Sequence, residues 1–138
     1  MSTIERWLPH RPPFRFVDEL VAARDDGAEF LLRLATDDPR LRDGALAPLF
    51  LVEAVAQATA AFHGYTHAGA PEAGVLVEIQ RAALHAPARG GDVVDIAVRR
   101  LHSLGALARF AGRVSAGPRL LAEAEITVAR QPGGAEHV

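Results

Sequence analysis

Residues 46–57 read LAPLFLVEAVAQ, and this stretch decides the fold. One carboxyl group, Glu53, and one amide, Gln57, stand four positions apart in an otherwise apolar run. In a helix, positions i and i+4 lie on the same face, one above the other. The neighbours Leu49, Phe50, Leu51, Val52, Ala54, Val55, Ala56, Ala58, Ala60, Ala61 and Phe62 are apolar on every side. A helix hydrophobic all round belongs inside a protein. The pattern therefore predicts a central helix in which Glu53 is enclosed. An enclosed carboxyl group is costly to ionise, and the protonated form is what a general acid needs.

The segments around this helix read differently. Pro48 suits a first helical turn, where its missing N–H has no partner to lose. Asp43, just ahead, would favour the positive end of the helix dipole, and Gly64 is a plausible stop. Upstream, residues 3–8 predict one helical turn closed by Pro9, followed by a Pro-rich loop over 10–13. Residues 14–23 and 28–35 predict a hairpin through an Asp-Gly turn. A charged loop covers 36–45. Downstream, residues 75–84, 92–102, 107–116 and 119–130 are strand-like, separated by Gly90-Gly91-Asp92, Gly105 and Gly117-Pro118. Residues 131–138 form a polar tail expected to be disordered. Two strands, a buried helix and four further strands make an α+β architecture, one helix wrapped by an antiparallel sheet of five to six strands. A single domain over residues 1–130 accounts for the chain.

Composition narrows the chemistry. The chain has 138 residues, enough for one domain with a real core. Its net charge is −2, so nothing points to nucleic acid or an anionic membrane. All 15 basic residues are Arg, which removes Schiff-base lysines and P-loop lysines. Cysteine is absent, and with it disulfides, thiolate nucleophiles and Cys-based metal sites. His67, His85, His102 and His137 have no ligand spacing, so no metal site is expected. No apolar run reaches membrane-spanning length, and the first residues lack a signal peptide's apolar stretch, so the expected location is the cytoplasm.

Several stretches carry a family likeness, collinear over nearly the whole chain. They are Leu8-Pro9-His10-Arg11-Pro12-Pro13-Phe14 with Val17-Asp18, Glu53-Ala54-Val55-Ala56-Gln57, Ala86-Pro87 with Gly90-Gly91-Asp92, and Leu120-Leu121-Ala122-Glu123-Ala124. Together they resemble the hotdog-fold 3-hydroxyacyl thioester dehydratases of the FabZ/FabA type. The loop Asp43-Gly44-Ala45-Leu46 is similar to a divergent, ApeP-like branch of aryl polyene gene clusters. The resemblance implies dehydration of a 3-hydroxyacyl thioester to the trans-2-enoyl thioester, in fatty-acid or polyketide-type biosynthesis. It implies no cofactor beyond the phosphopantetheine or coenzyme A that carries the acyl group. It also implies a homodimer or higher oligomer, or pairing with another hotdog subunit.

By the same resemblance Glu53 takes the acid role, and the backbone amides of Leu49 and Phe50 polarise the thioester carbonyl. The family's base, a His in the loop before the helix that works with the acidic residue on the helix of the other subunit, has no counterpart: residues 37–46 contain no His. The base is therefore open. Gln57 reads as a supporting residue that ties down backbone or orients Glu53. His10 is the only His ahead of the helix; it reads as structural, or as a replacement base if its loop folds over the site. Asp43 is a further candidate base, though capping is the favoured job, with Asp37 and Asp38 in the same loop. His63, turned some 80° from Glu53, is expected to face a partner or solvent. Arg40, Arg42, Arg81 and Arg89 are candidates to dock an acidic acyl carrier protein. Two alternatives stand beside dehydration: thioester hydrolysis with Glu53 activating water, and a non-catalytic hotdog partner subunit.

Overall fold

The computed structural model describes residues 3–67 and 74–130. The tail assignment over 131–138, His137 and part of the loop after the helix lie outside the described residues. Six strands are present: β1 (Glu19–Arg24), β2 (Gly27–Arg33), β3 (Gly74–Leu84), β4 (Val93–Leu104), β5 (Leu107–Ala116) and β6 (Arg119–Arg130), with α1 (Leu49–Thr66) between β2 and β3. They form one antiparallel sheet in the order β1-β2-β4-β5-β6-β3. The helix crosses the concave face of that sheet, which makes this a hotdog fold.

Alternation builds the core. Ala28, Phe30 and Leu32 of β2, Val94, Ile96 and Val98 of β4, and Val114 of β5 are buried on one face. They pack against Leu51, Ala54, Val55, Ala58, Ala61 and Phe62 of α1. Gly112 on β5 is what lets the helix lie this close: a Cβ there would sit 2.3 Å from Val55 Cγ1.

Element boundaries depart from the sequence reading in three places. First, the strand expected over 14–23 begins only at Glu19, because Gln57 on the helix takes the backbone of Phe14 and Phe16 that a strand would have used. Second, Gly64 does not end the helix, which continues to Thr66. Its missing side chain instead admits Trp7, whose Cβ would lie 2.8 Å from an added methyl group. Third, Asp43 neither caps nor enters the helix. Asp43 and Gly44 have φ of 54° and 78° and form a two-residue reversal, with Arg42 and Ala45 exchanging backbone hydrogen bonds of 2.8 and 3.1 Å. Pro48 occupies the N-cap, with no side-chain hydrogen bond there.

Candidate active site

One helical stripe stays off the sheet. Glu53, Ala56, Gln57, Ala60 and His63 follow the i, i+3, i+4 spacing of a single face, with His67 just past the helix end, and they line a cavity of about 350 Å³. The opposite wall is the β4–β5 hairpin, chiefly Arg100, Ser103, Leu107, Ala108 and Phe110, with Val128 of β6 beside it. His10, from the loop before β1, also lines it.

Glu53 is not enclosed as the apolar run predicts: its side chain is 41% exposed. The reason is geometric. The residues that flank Glu53 in sequence face the sheet, but its own stripe faces an open groove. What the helix does supply is position. Gln57 is 1% exposed and uses its whole amide. Its Oε1 accepts from Phe16 N–H at 2.7 Å, and its Nε2 donates to Phe14 C=O and to Glu53 Oε2, both at 2.9 Å. A buried amide with every bond satisfied is rigid. Gln57 thus both pins the N-terminal loop and holds the Glu53 carboxyl group in one orientation, combining the two jobs the sequence left open.

That loop carries His10 to the site. His10 Nε2 lies 3.9 Å from Glu53 Oε2, while its Nδ1 is buried without a hydrogen-bond partner among the described residues. Arg11 fixes the backbone on either side, donating from Nη1 to Leu8 C=O at 2.7 Å and to His10 C=O at 3.0 Å. His63 lines the same cavity, stacked on His67 with centroids 4.1 Å apart, so whatever it faces, solvent or a partner, lies across this groove. The groove is broad enough to take both angular positions on the helix.

Other candidates are placed elsewhere. Asp43 is exposed and does not line the cavity. Asp37 is exposed, and Asp38 is engaged by Arg40. The Phe50 amide donates to Ala47 C=O at 2.9 Å, so of the two amides expected to polarise a carbonyl only that of Leu49 makes no such turn bond. Arg40 is engaged within the fold. Its guanidinium grips both oxygens of Asp38 (2.9 and 2.7 Å), donates to Arg15 C=O and lies 5.2 Å above the Phe16 ring centroid. Arg42, Arg81 and Arg89 are exposed, none lines the cavity, and Arg81 pairs with Glu125 at 3.7 Å. The arginine that does line it, Arg100, was missed. The alternation Val94, Ile96, Val98 points to it as the next inward position. Its Nη2 donates to Asp25 C=O at 3.0 Å. No cluster of three or more metal-ligating side chains occurs among the described residues. No described helix is long and apolar enough to cross a membrane.

Fold and site together define a hotdog protein whose helix presents a positioned Glu–Gln pair to a cavity. Residues 2–138 match the family model described as ApeP-like, ApeP dehydratase, and the chain belongs to this dehydratase family. It is 30% identical over 128 residues to a 3-hydroxyacyl-[acyl-carrier-protein] dehydratase FabZ of Methylobacterium sp. (strain 4-46), covering 86% of this chain and 78% of that protein. The dehydratase heterocomplex ApeI:P from Xenorhabdus doucetiae superposes with a TM-score of 0.83 at 24% identity, over 97% of this chain and 93% of that one. A hypothetical thioesterase from Streptococcus pneumoniae, solved with coenzyme A, gives 0.68 at 15% identity, over 83% and 88%. The thioesterase likeness is one of fold, whereas the sequence likeness is to dehydratases.

Proposed function

We propose that the chain dehydrates a 3-hydroxyacyl thioester to the trans-2-enoyl thioester, with Glu53 as the acid. The observation that carries this is the Gln57-positioned Glu53 carboxyl group, set in an acyl-sized cavity lined in part by Ala56, Ala60, Leu107, Ala108 and Phe110. In the reaction the C2 proton leaves to a base and its electron pair becomes the C2=C3 double bond. The C3–O bond breaks as Glu53 gives its proton to the departing hydroxyl, and water is lost. The thioester carbonyl, which takes up charge meanwhile, lies toward the helix N-terminus, where Leu49 N–H is the amide left without a turn bond. From Glu53 to His63 the groove follows ten residues of helix, about 15 Å, which suits an extended acyl chain. The carrier is an acyl carrier protein or coenzyme A, the former favoured by the FabZ relative.

Incubation with 3-hydroxyacyl thioesters tests this. The wild type is expected to form the conjugated enoyl thioester without releasing free thiol. Glu53→Gln is expected to lose at least about 100-fold in kcat, the scale of a general acid, while retaining its thermal midpoint. Thiol release by the wild type would establish the hydrolase reading instead.

A second reading is favoured by the open side of the groove and by the ApeI:P heterocomplex: the chain works paired with a second hotdog subunit. Activity that appears only when such a subunit is added supports it.

A further inference from the structure

The dehydration reading leaves the base unassigned, and the loop that supplies it in the resembling family holds no His here. We infer that His10 of the same chain is the base, so that His10 and Glu53 form an acid–base pair within one subunit. This rests on the dehydratase reading and deepens it.

Position argues first. His10 Nε2 and Glu53 Oε2 are 3.9 Å apart, too far for a hydrogen bond to each other and open to the same cavity. The reacting atoms of an elimination, the C2 hydrogen and the C3 oxygen, sit on adjacent carbons. Two groups this close can each reach one of them from the same side, as proximity catalysis requires.

Fixation argues second. Arg11 clamps the carbonyls of Leu8 and His10, and Gln57 holds the loop again at Phe14 and Phe16. Because Gln57 also holds Glu53, one buried amide sets the spacing of both groups.

The ring itself argues third. Nδ1 is buried with no hydrogen-bond partner among the described residues, so Nε2 is the ring nitrogen that faces Glu53. A histidine kept only for structure would be expected to spend a buried Nδ1 on a hydrogen bond.

The proton count closes. Before reaction Nε2 carries a lone pair and Glu53 carries a proton. Nε2 takes the C2 proton, and Glu53 gives its own to the leaving hydroxyl. An imidazolium and a carboxylate remain, facing each other as an ion pair. Transfer of one proton across that gap, directly or through the released water, restores the starting state, so the pair resets without an outside group.

The test uses the isolated full-length chain with a 3-hydroxyacyl coenzyme A thioester, and the reverse hydration of the enoyl thioester in D₂O. His10→Gln is expected to lower kcat about 100-fold or more with little change in KM, and to lose deuterium delivery to C2 in proportion. The acid limb of the wild-type pH profile should disappear in that variant. The charged or titratable groups facing His10 are Glu53 across the gap and, farther along the cavity, His63, His67 and Arg100; none of them is altered by this substitution. Wild-type kcat and an intact acid limb in His10→Gln, with Glu53→Gln inactive, would overturn the inference and leave the dehydratase reading standing. A wild type inert both alone and with a second hotdog subunit added overturns both. Should His10→Gln fail to fold, imidazole ¹⁵N NMR of the wild type and Glu53→Gln decides: a His10 Nε2 signal unmoved by Glu53→Gln overturns the pairing.

Discussion

At the residue scale, Gln57 sets the site. Its amide joins three groups that no other side chain connects: Phe14 C=O, Phe16 N–H and the Glu53 carboxylate. Gln57→Leu keeps roughly the volume and removes all three bonds, leaving the buried Phe16 N–H and the part-buried Phe14 C=O without this partner. Urea titration is expected to show a loss of about 1–3 kcal/mol. Activity should fall further than stability explains, because Glu53 loses its orientation. A variant as stable as the wild type would mean that the loop finds other partners. Asp38 makes a second residue-scale case. Hydrogen bonds from Arg40 hold its carboxyl below the ordinary carboxylate range, against partial burial, which acts the other way. The folded value lies under the unfolded one, so the stabilisation is present above the ordinary carboxylate value and is lost as pH falls through the folded value. Asp38→Asn should therefore be less stable than the wild type at neutral pH, and the gap should close in acid. A gap constant with pH would assign the effect to packing.

At the element scale, the contact between α1 and the sheet depends on Gly112. An added methyl group there meets Val55 Cγ1 at 2.3 Å and Val55 Cγ2 at 2.7 Å, and a β-branched side chain in a packed core has little room to rotate away. Gly112→Ala is expected to cost about 1–3 kcal/mol, the usual range for overpacking. Val55→Ala should offset part of that cost in the double variant, read as non-additivity in a thermal or denaturant series. Additive losses would show that the helix shifts as a body rather than clashing at one point. The β4–β5 hairpin forms the far wall of the cavity, so the same helix-to-sheet spacing also sets the width available to substrate.

At the scale of the whole molecule, the sheet is open. Its edges are β1 and β3, and β3 runs eleven residues with Ile79 43% and Leu84 51% exposed. A long edge with exposed apolar side chains invites another strand. The expectation is that the chain assembles, with light scattering giving at least twice the single-chain mass, alone or with a second hotdog subunit. Ile79→Lys would put a charge on that edge and should shift the assembly toward the single chain. A wild type that stays a single chain at every concentration, with and without such a subunit, would set this aside.

Much of this was legible in the sequence, for definite physical reasons. The apolar helix, the alternating strands and the Gly-marked turns are periodic signals, and each reflects which side of an element meets the core. The pairing of Glu53 with Gln57 was legible because helical geometry fixes i and i+4. Three things were not. Glu53 was read as enclosed, since composition counts apolar neighbours but cannot tell which of them turn away toward the sheet. Asp43 was read as near the site because it precedes the helix closely in sequence, but its Asp-Gly reversal leaves it exposed and outside the cavity. His10, 43 positions from Glu53, was set beside it only by a loop that Gln57 holds through bonds spanning 41 and 43 residues. Local sequence determined which elements form and which faces they bury; contacts between distant segments, made only once the chain is folded, decided which side chains share the cavity.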